Sequence, residues 1–172
     1  MGLIASPLGG LVLAIAGFVL LAISMIWGLS SAHSDRRPHL SAALTTAAVV
    51  FGLNMLARAS GVWQWYGYGL PLVQQFGMLF AVPTVLFTLI LAGYRWLGAR
   101  TRRPGLMYGL IAGLLLIPVT VAGDLYTMRR GTLSFGKGYT IFHDIILGQA
   151  LVWLPVILYV SYRRILGGLV TR

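Results

Sequence analysis

Glutamate and cysteine are missing from this chain of 172 residues, and the only acids are Asp35, Asp124 and Asp144. Without cysteine there are no disulfides, thiolate metal sites, iron–sulfur clusters or cysteine nucleophiles. No nucleotide-binding motif and no cluster of ligating residues is present, so neither metal nor cofactor is expected. Charged residues are also scarce. They make up 9% of the chain, against about a quarter in a soluble domain.

Apolar residues fill the space instead. They account for 58% of the chain, and its mean hydropathy is +0.86. Long apolar runs recur from end to end, and each must lie in a medium as apolar as itself. The expected fold is an all-α polytopic transmembrane bundle of about five helices forming one domain. The runs predict helices at about Leu8–Leu29, Leu40–Arg58, Pro71–Trp96, Gly105–Gly123 and Tyr139–Arg163, each near the roughly 20 residues that cross a bilayer core. Met1 to Pro7 has no basic side chain ahead of the first run, so that run reads as a retained helix rather than a signal peptide.

The formal net charge is +10, from 13 Lys and Arg. These residues lie between the apolar runs, where they set topology and meet anionic head groups. No groove-reading motif accompanies them, so nucleic acid is not an expected partner. With the N-terminus outside, the inner loops carry Arg36, Arg37, Arg95, Arg100, Arg102, Arg103, Arg163, Arg164 and Arg172. The outer loops carry Arg58, Arg129, Arg130 and Lys137. The excess of basic residues on the first set predicts N-terminus out and C-terminus in.

The two longer outer loops are rich in glycine and aromatics. Gly61-x-Trp63-x-Trp65 aligns with Gly131-x-Leu133-x-Phe135. The helix after the first ends in Tyr94-Arg95, and the helix after the second in Tyr162-Arg163. This predicts a two-fold helix–loop–helix repeat, Leu40–Gly98 and Gly105–Gly167, a pattern that places sites between the repeats. The loops either form an aromatic belt with turn glycines or together cap one site.

Few residues can carry chemistry. Asp144, beside His143, lies near the start of the last apolar run. A carboxylate there costs a few kcal/mol, about 2.5–3.5 at a helix centre, unless it is paired, protonated or wet. It reads either as a general acid or proton relay or as a cap at a helix N-terminus. Asp124 either pairs locally with Arg129 and Arg130 or faces Asp144 across the outer mouth. Asn54, Arg58, Gln74 and Gln75 lie at the same predicted depth, forming one polar layer or several separate interfacial groups. His33 and His39 fall on the predicted inner side and His143 on the outer, which is wrong for a bis-histidine haem. Gly105, Gly109 and Gly113 recur every four residues and predict a close-packing helix face.

The order Asp124, Arg129, Gly131, Leu133, Phe135 in one unit, and Gly61, Trp63, Trp65, Leu70-Pro71-Leu72 in the other, resembles the small integral-membrane lycopene cyclases and related carotenoid hydratases of bacteria and archaea. The resemblance covers residues 54–80 and 114–150. The paired glutamates of that family are absent. Gln74 and Gln75 stand near their place in the first unit, and His143 and Asp144 in the second. The resemblance implies protonation of an isoprenoid alkene without a cofactor, with Asp144 as acid and Asp124 and Arg129 orienting it. In an enzyme, the catalytic candidates are Asp144, Asp124 and His143. Trp63, Trp65, Tyr66, Gln74, Gln75, Arg58 and Arg129 are candidates for contacting substrate, lipid or carotenoid.

Three functions fit these residues. The leading one is a small subunit of a larger membrane complex, binding lipid, carotenoid or another pigment and partnered by other membrane subunits or by itself. The second is an acid-catalysed isoprenoid enzyme, and the third a small proton-coupled transporter or flippase. The expected location is the lipid bilayer of a bacterial cytoplasmic (inner) membrane.

Overall fold

In the computed structural model the described residues are 11–12, 15–16, 18–19, 22–23, 33–65, 71–136 and 138–170. Most of the expected first helix, and Tyr66, lie outside them. Those of its residues that are described are helical and exposed, and Phe18 stacks on Phe76 with ring centroids 6.2 Å apart.

The remaining chain alternates long helices with two very short strands. These are α1 (His33–Ser60), β1 (Trp63–Trp65), α2 (Leu72–Gly98), α3 (Pro104–Arg129), β2 (Leu133–Phe135) and α4 (Ile141–Val170). Four described helices are long and apolar enough to cross a membrane: Arg36–Ser60, Leu72–Gly98, Pro104–Arg129 and Ile141–Ile165. This is a multi-pass membrane protein.

Glycine marks both ends that lead into a strand. Gly61 has φ +68° and Gly131 has φ +67°, the left-handed conformation that ends helices because only glycine adopts it without a Cβ penalty. The hydrogen bonds at the two ends correspond one to one. Gly61 N donates to Arg58 O at 3.3 Å and Val62 N to Ala57 O at 3.0 Å. Gly131 N donates to Met128 O at 2.9 Å and Thr132 N to Thr127 O at 3.0 Å. Each is a Schellman cap that satisfies carbonyls left over by the last turn. Asp124 therefore does not close its helix, as its position at the end of an apolar run suggests. The helix runs on to Arg129, and Gly131 is the stop.

The loops expected after α1 and α3 are strands, and they pair with each other. Trp63 lies opposite Phe135, Gln64 opposite Ser134 and Trp65 opposite Leu133, antiparallel. Gln64 and Ser134 are equivalent positions in the aligned units, so a local two-fold axis passes between them. Each unit is thus helix, glycine cap, three-residue strand, helix. The alternation of a strand exposes Gln64 and Ser134 and turns Trp63, Trp65, Leu133 and Phe135 toward the bundle.

In the bundle, α1 packs on α2 and α4, and α3 packs on α4. The contact face of α1 is small: Ala42, Ala43, Thr46 and Ala47 are fully buried. Phe87, Leu91 and Leu97 of α2, Tyr108 and Ala112 of α3, and Val156 and Tyr159 of α4 are buried in the same core. Small residues allow the close helix approach that dispersion needs in a solvent as apolar as the side chains. Thr46, Thr84 and Thr88 each donate to the carbonyl four residues back, at 2.7–2.8 Å, which satisfies their hydroxyls within the core. In α2 a widened π turn at Gly77–Ala81 precedes Pro83, whose ring and missing N–H disturb a regular ladder.

The expected glycine face on α3 is only partly used within the bundle. A Cβ on Gly109 would stand 2.8 Å from the Trp153 ring, whereas Gly105 and Gly113 meet nothing within 4 Å.

The strand pair makes a symmetric prediction. Gly61→Ala and Gly131→Ala should each destabilise the protein by about 1 kcal/mol, the cost of a Cβ in the left-handed region. Gly136→Ala should cost more, about 1–3 kcal/mol, because its Cβ would run into the Gly61 carbonyl oxygen. Gly52→Ala, in open space on α1, should not lower stability. Thermal unfolding of the four variants in one detergent checks the ranking.

Candidate functional site

The strand pair closes one end of a cavity of about 250 Å³ between the two units. Its described lining includes Val50, Leu53 and Asn54 of α1, Trp63 of β1, Leu133 and Phe135 of β2, and Asp144 and Leu147 of α4. Apolar side chains make most of the wall, with Asn54 and Asp144 as its polar points. The Asn54 amide donates to Val50 O at 2.9 Å.

Asp144 lies in the first turn of α4, where free backbone N–H groups and the helix dipole favour a carboxylate. It is held from two sides. The Tyr139 hydroxyl donates to Asp144 Oδ1 at 3.0 Å. The Asp124 carboxyl, from α3, comes within hydrogen-bonding reach of the Asp144 carboxyl. The Asp124 Oδ2 atom is buried with no protein partner.

Tyr139 is the residue that sequence reasoning missed. Its ring sits between Trp63 at 5.3 Å and Phe135 at 5.2 Å, so the strand pair fixes it while its hydroxyl reaches Asp144. Burial, then the Asp144 carboxylate, pushes the phenol above its ordinary value. Its sequence signal was only position, five residues before Asp144, and nothing in that spacing shows two strands meeting behind it.

The other candidates divide. His143 is exposed. Its Nδ1 pairs with the Thr140 hydroxyl at 2.8 Å, and its ring stacks on Tyr139 at 5.5 Å. Trp65 is half-buried behind Leu133 in the strand pair. Arg58 and Arg129 are exposed. Among the described residues no ion pair joins Asp124 to Arg129 or Arg130, and Arg130 lies over the Tyr126 ring at 5.3 Å. Gln75 is buried and Gln74 half-buried at the start of α2, away from the described cavity lining. The structure therefore joins Asp124, Asp144, Asn54 and Trp63 at one site and leaves His143, Arg58, Arg129 and the glutamines outside it. Among the described residues, no group of three or more ligating side chains could hold a metal.

Alkaline titration probes the Tyr139 contact. Its folded value lies above that of the free phenol, so the stability it adds is complete below about pH 10. That stability is lost as pH rises through the folded value. Tyr139→Phe should remove one late-titrating phenol from the ultraviolet titration curve and leave the early phase unchanged. Loss from the early phase instead would contradict the contact.

No family model, curated protein or solved structure matches this chain.

Proposed function

We propose that the chain takes the end of an apolar, isoprenoid-type lipid into the cavity between its two units and protonates an alkene there with the Asp124–Asp144 pair. One observation carries this reading: two carboxyls from different helices meet at the wall of an otherwise apolar cavity. Acids facing an apolar cavity within a membrane bundle are expensive to hold, and where they occur they mark chemistry or proton movement.

The cavity size supports a chain end as ligand. At about 250 Å³ it falls below the roughly 300–1,000 Å³ of sites that enclose a drug-sized molecule. The rest of a long lipid would stay among the helices or in the bilayer. The aromatic side chains of the strand pair suit a cationic intermediate, since ring faces attract positive charge.

The proposed step balances without a co-reactant. The proton held by the pair leaves through Asp144, the member on the cavity wall, and forms a C–H bond at one alkene carbon. The alkene π electrons make that bond, and the neighbouring carbon becomes cationic. The cation closes on a second double bond or stays in place. It then loses a proton to the carboxylates, which restores the pair and gives an isomer of the substrate. Asp124 shares the charge left on Asp144, and the Tyr139 hydroxyl steadies it.

A second reading, a subunit within a larger membrane assembly, is favoured by the unfilled glycine face of α3. A Cβ on Gly105 or Gly113 would meet nothing within 4 Å among the described residues, and only 11% of the most apolar stretch of α3 is buried. On this reading Asp144 serves as a helix-end group.

The test is lycopene in nanodiscs carrying the protein, incubated in deuterated water, with deuterium in the recovered lipid read by mass spectrometry. Wild type should incorporate deuterium. Asp144→Asn should lose about 100-fold or more, within the range for removing a positioned acid, and Asp124→Asn should also fall. Both should keep the wild-type melting profile. Unlabelled lycopene from wild type, together with co-purification of a partner that Gly113→Leu abolishes, would replace the catalytic reading with the subunit reading.

A further inference from the structure

Asp124 and Asp144 stand on different helices, so their contact depends on how closely α3 and α4 approach. The seam between the two helices is touched at several levels. At the strand end Asp124 meets Asp144. One turn further into each helix, Gly148 of α4 faces Thr120 and Leu116 of α3. A Cβ on Gly148 would stand 3.8 Å from Thr120 Oγ1 and 4.0 Å from Leu116 Cδ2. Deeper still, Gln149 Nε2 donates to Ala112 O at 3.5 Å and the Tyr108 hydroxyl to Val152 O at 2.8 Å.

Gly148 is therefore the seam contact next to the acids, and it also lines the cavity. Its place against Thr120 and Leu116 leaves room for a methyl group in ordinary van der Waals contact. A β-branched side chain carries two more heavy atoms on that Cβ, with χ1 nearly fixed in a helix, so it must push against α3. An O–H···O bond spans about 2.5–3.0 Å, so a seam opened by about 1 Å breaks the carboxyl contact. Small residues at a helix crossing are what permit such close approach.

We infer that Gly148 is the positioning residue of the carboxyl pair: its missing side chain sets the α3–α4 spacing that lets Asp124 reach Asp144. The inference rests on the helix geometry and not on the chemistry assigned to the pair.

The chain has no cysteine of its own, so a thiol pair reads the spacing directly. Asp124→Cys/Asp144→Cys in nanodiscs is treated with dibromobimane, which fluoresces when it bridges two thiols. Added Gly148→Ile should slow bridging about tenfold or more, because bridging demands close and well-aligned thiols. Gly148→Val should act in the same direction and serves where the isoleucine variant does not fold. Gly148→Ala, and Gly113→Ile in open space on α3, should each stay within about twofold of the parent. Thr120→Ala/Leu116→Ala added to Gly148→Ile should restore bridging, as expected of residues in contact. Unchanged bridging in a folded Gly148→Ile or Gly148→Val chain would overturn the positioning role and leave the acid-pair reading standing. Slowed bridging that the two alanines do not restore would overturn it as well. Failure of the parent thiol pair to bridge would remove the contact itself, and the acid-pair reading with it.

Discussion

The pairing of Trp63–Trp65 with Leu133–Phe135 is the contact on which the rest of this molecule depends. At a membrane surface every backbone N–H and C=O that leaves a helix must find a partner. Here each unit leaves its first helix through a glycine cap and meets the other unit's strand. Three residues on each side are too few to stand alone. They hold because both are tethered to long helices and both turn apolar side chains inward. The Gly136 N–H extends the ladder to Val62 O at 2.7 Å, with no room for a Cβ between the chains.

That pairing also positions the carboxyl pair. It stacks Trp63 and Phe135 around Tyr139, and Tyr139 in turn holds Asp144. α3 reaches past its apolar run to its glycine cap, which leaves Asp124 facing Asp144 rather than the arginines beyond it. The two acids thus flank the strand of one helix–strand–helix unit, on its two helices, while the cavity that Asp144 lines lies between both units.

The bundle is polar along its length. Asp144 and Arg163 are nineteen residues apart on α4, about 28 Å at 1.5 Å per residue, close to the thickness of a bilayer core. Asp124 and Asp144 lie at the strand end together with Arg58, Arg129 and Arg130, and Arg95, Arg163 and Arg164 lie at the other.

Much of this was legible in the residues. Hydropathy alone marked the α1–α4 spans, because apolar length is a local property and the bilayer demands it of each segment. The repeat showed in glycine and aromatic spacing, since a helix cap and a strand face each need particular residues at fixed offsets. The candidate acids stood out because carboxylates are rare and costly in such a chain. Other features depended on residues distant in sequence. The strands read as loops, because three residues carry too little periodicity without their partner. Asp124 read as a helix end, because the competing Gly131 stop lies seven residues on. His143 read as a catalytic candidate beside Asp144, but its ring nitrogen meets Thr140 and its face meets Tyr139, because adjacency in sequence is not adjacency on a helix face. The sequence by itself determined the membrane environment, the spans and the inventory of ionisable groups. Only the tertiary structure decided which of those groups meet, because it is the pairing of the two strands and the packing of α1 against α4 that bring residues 50 to 150 onto one cavity.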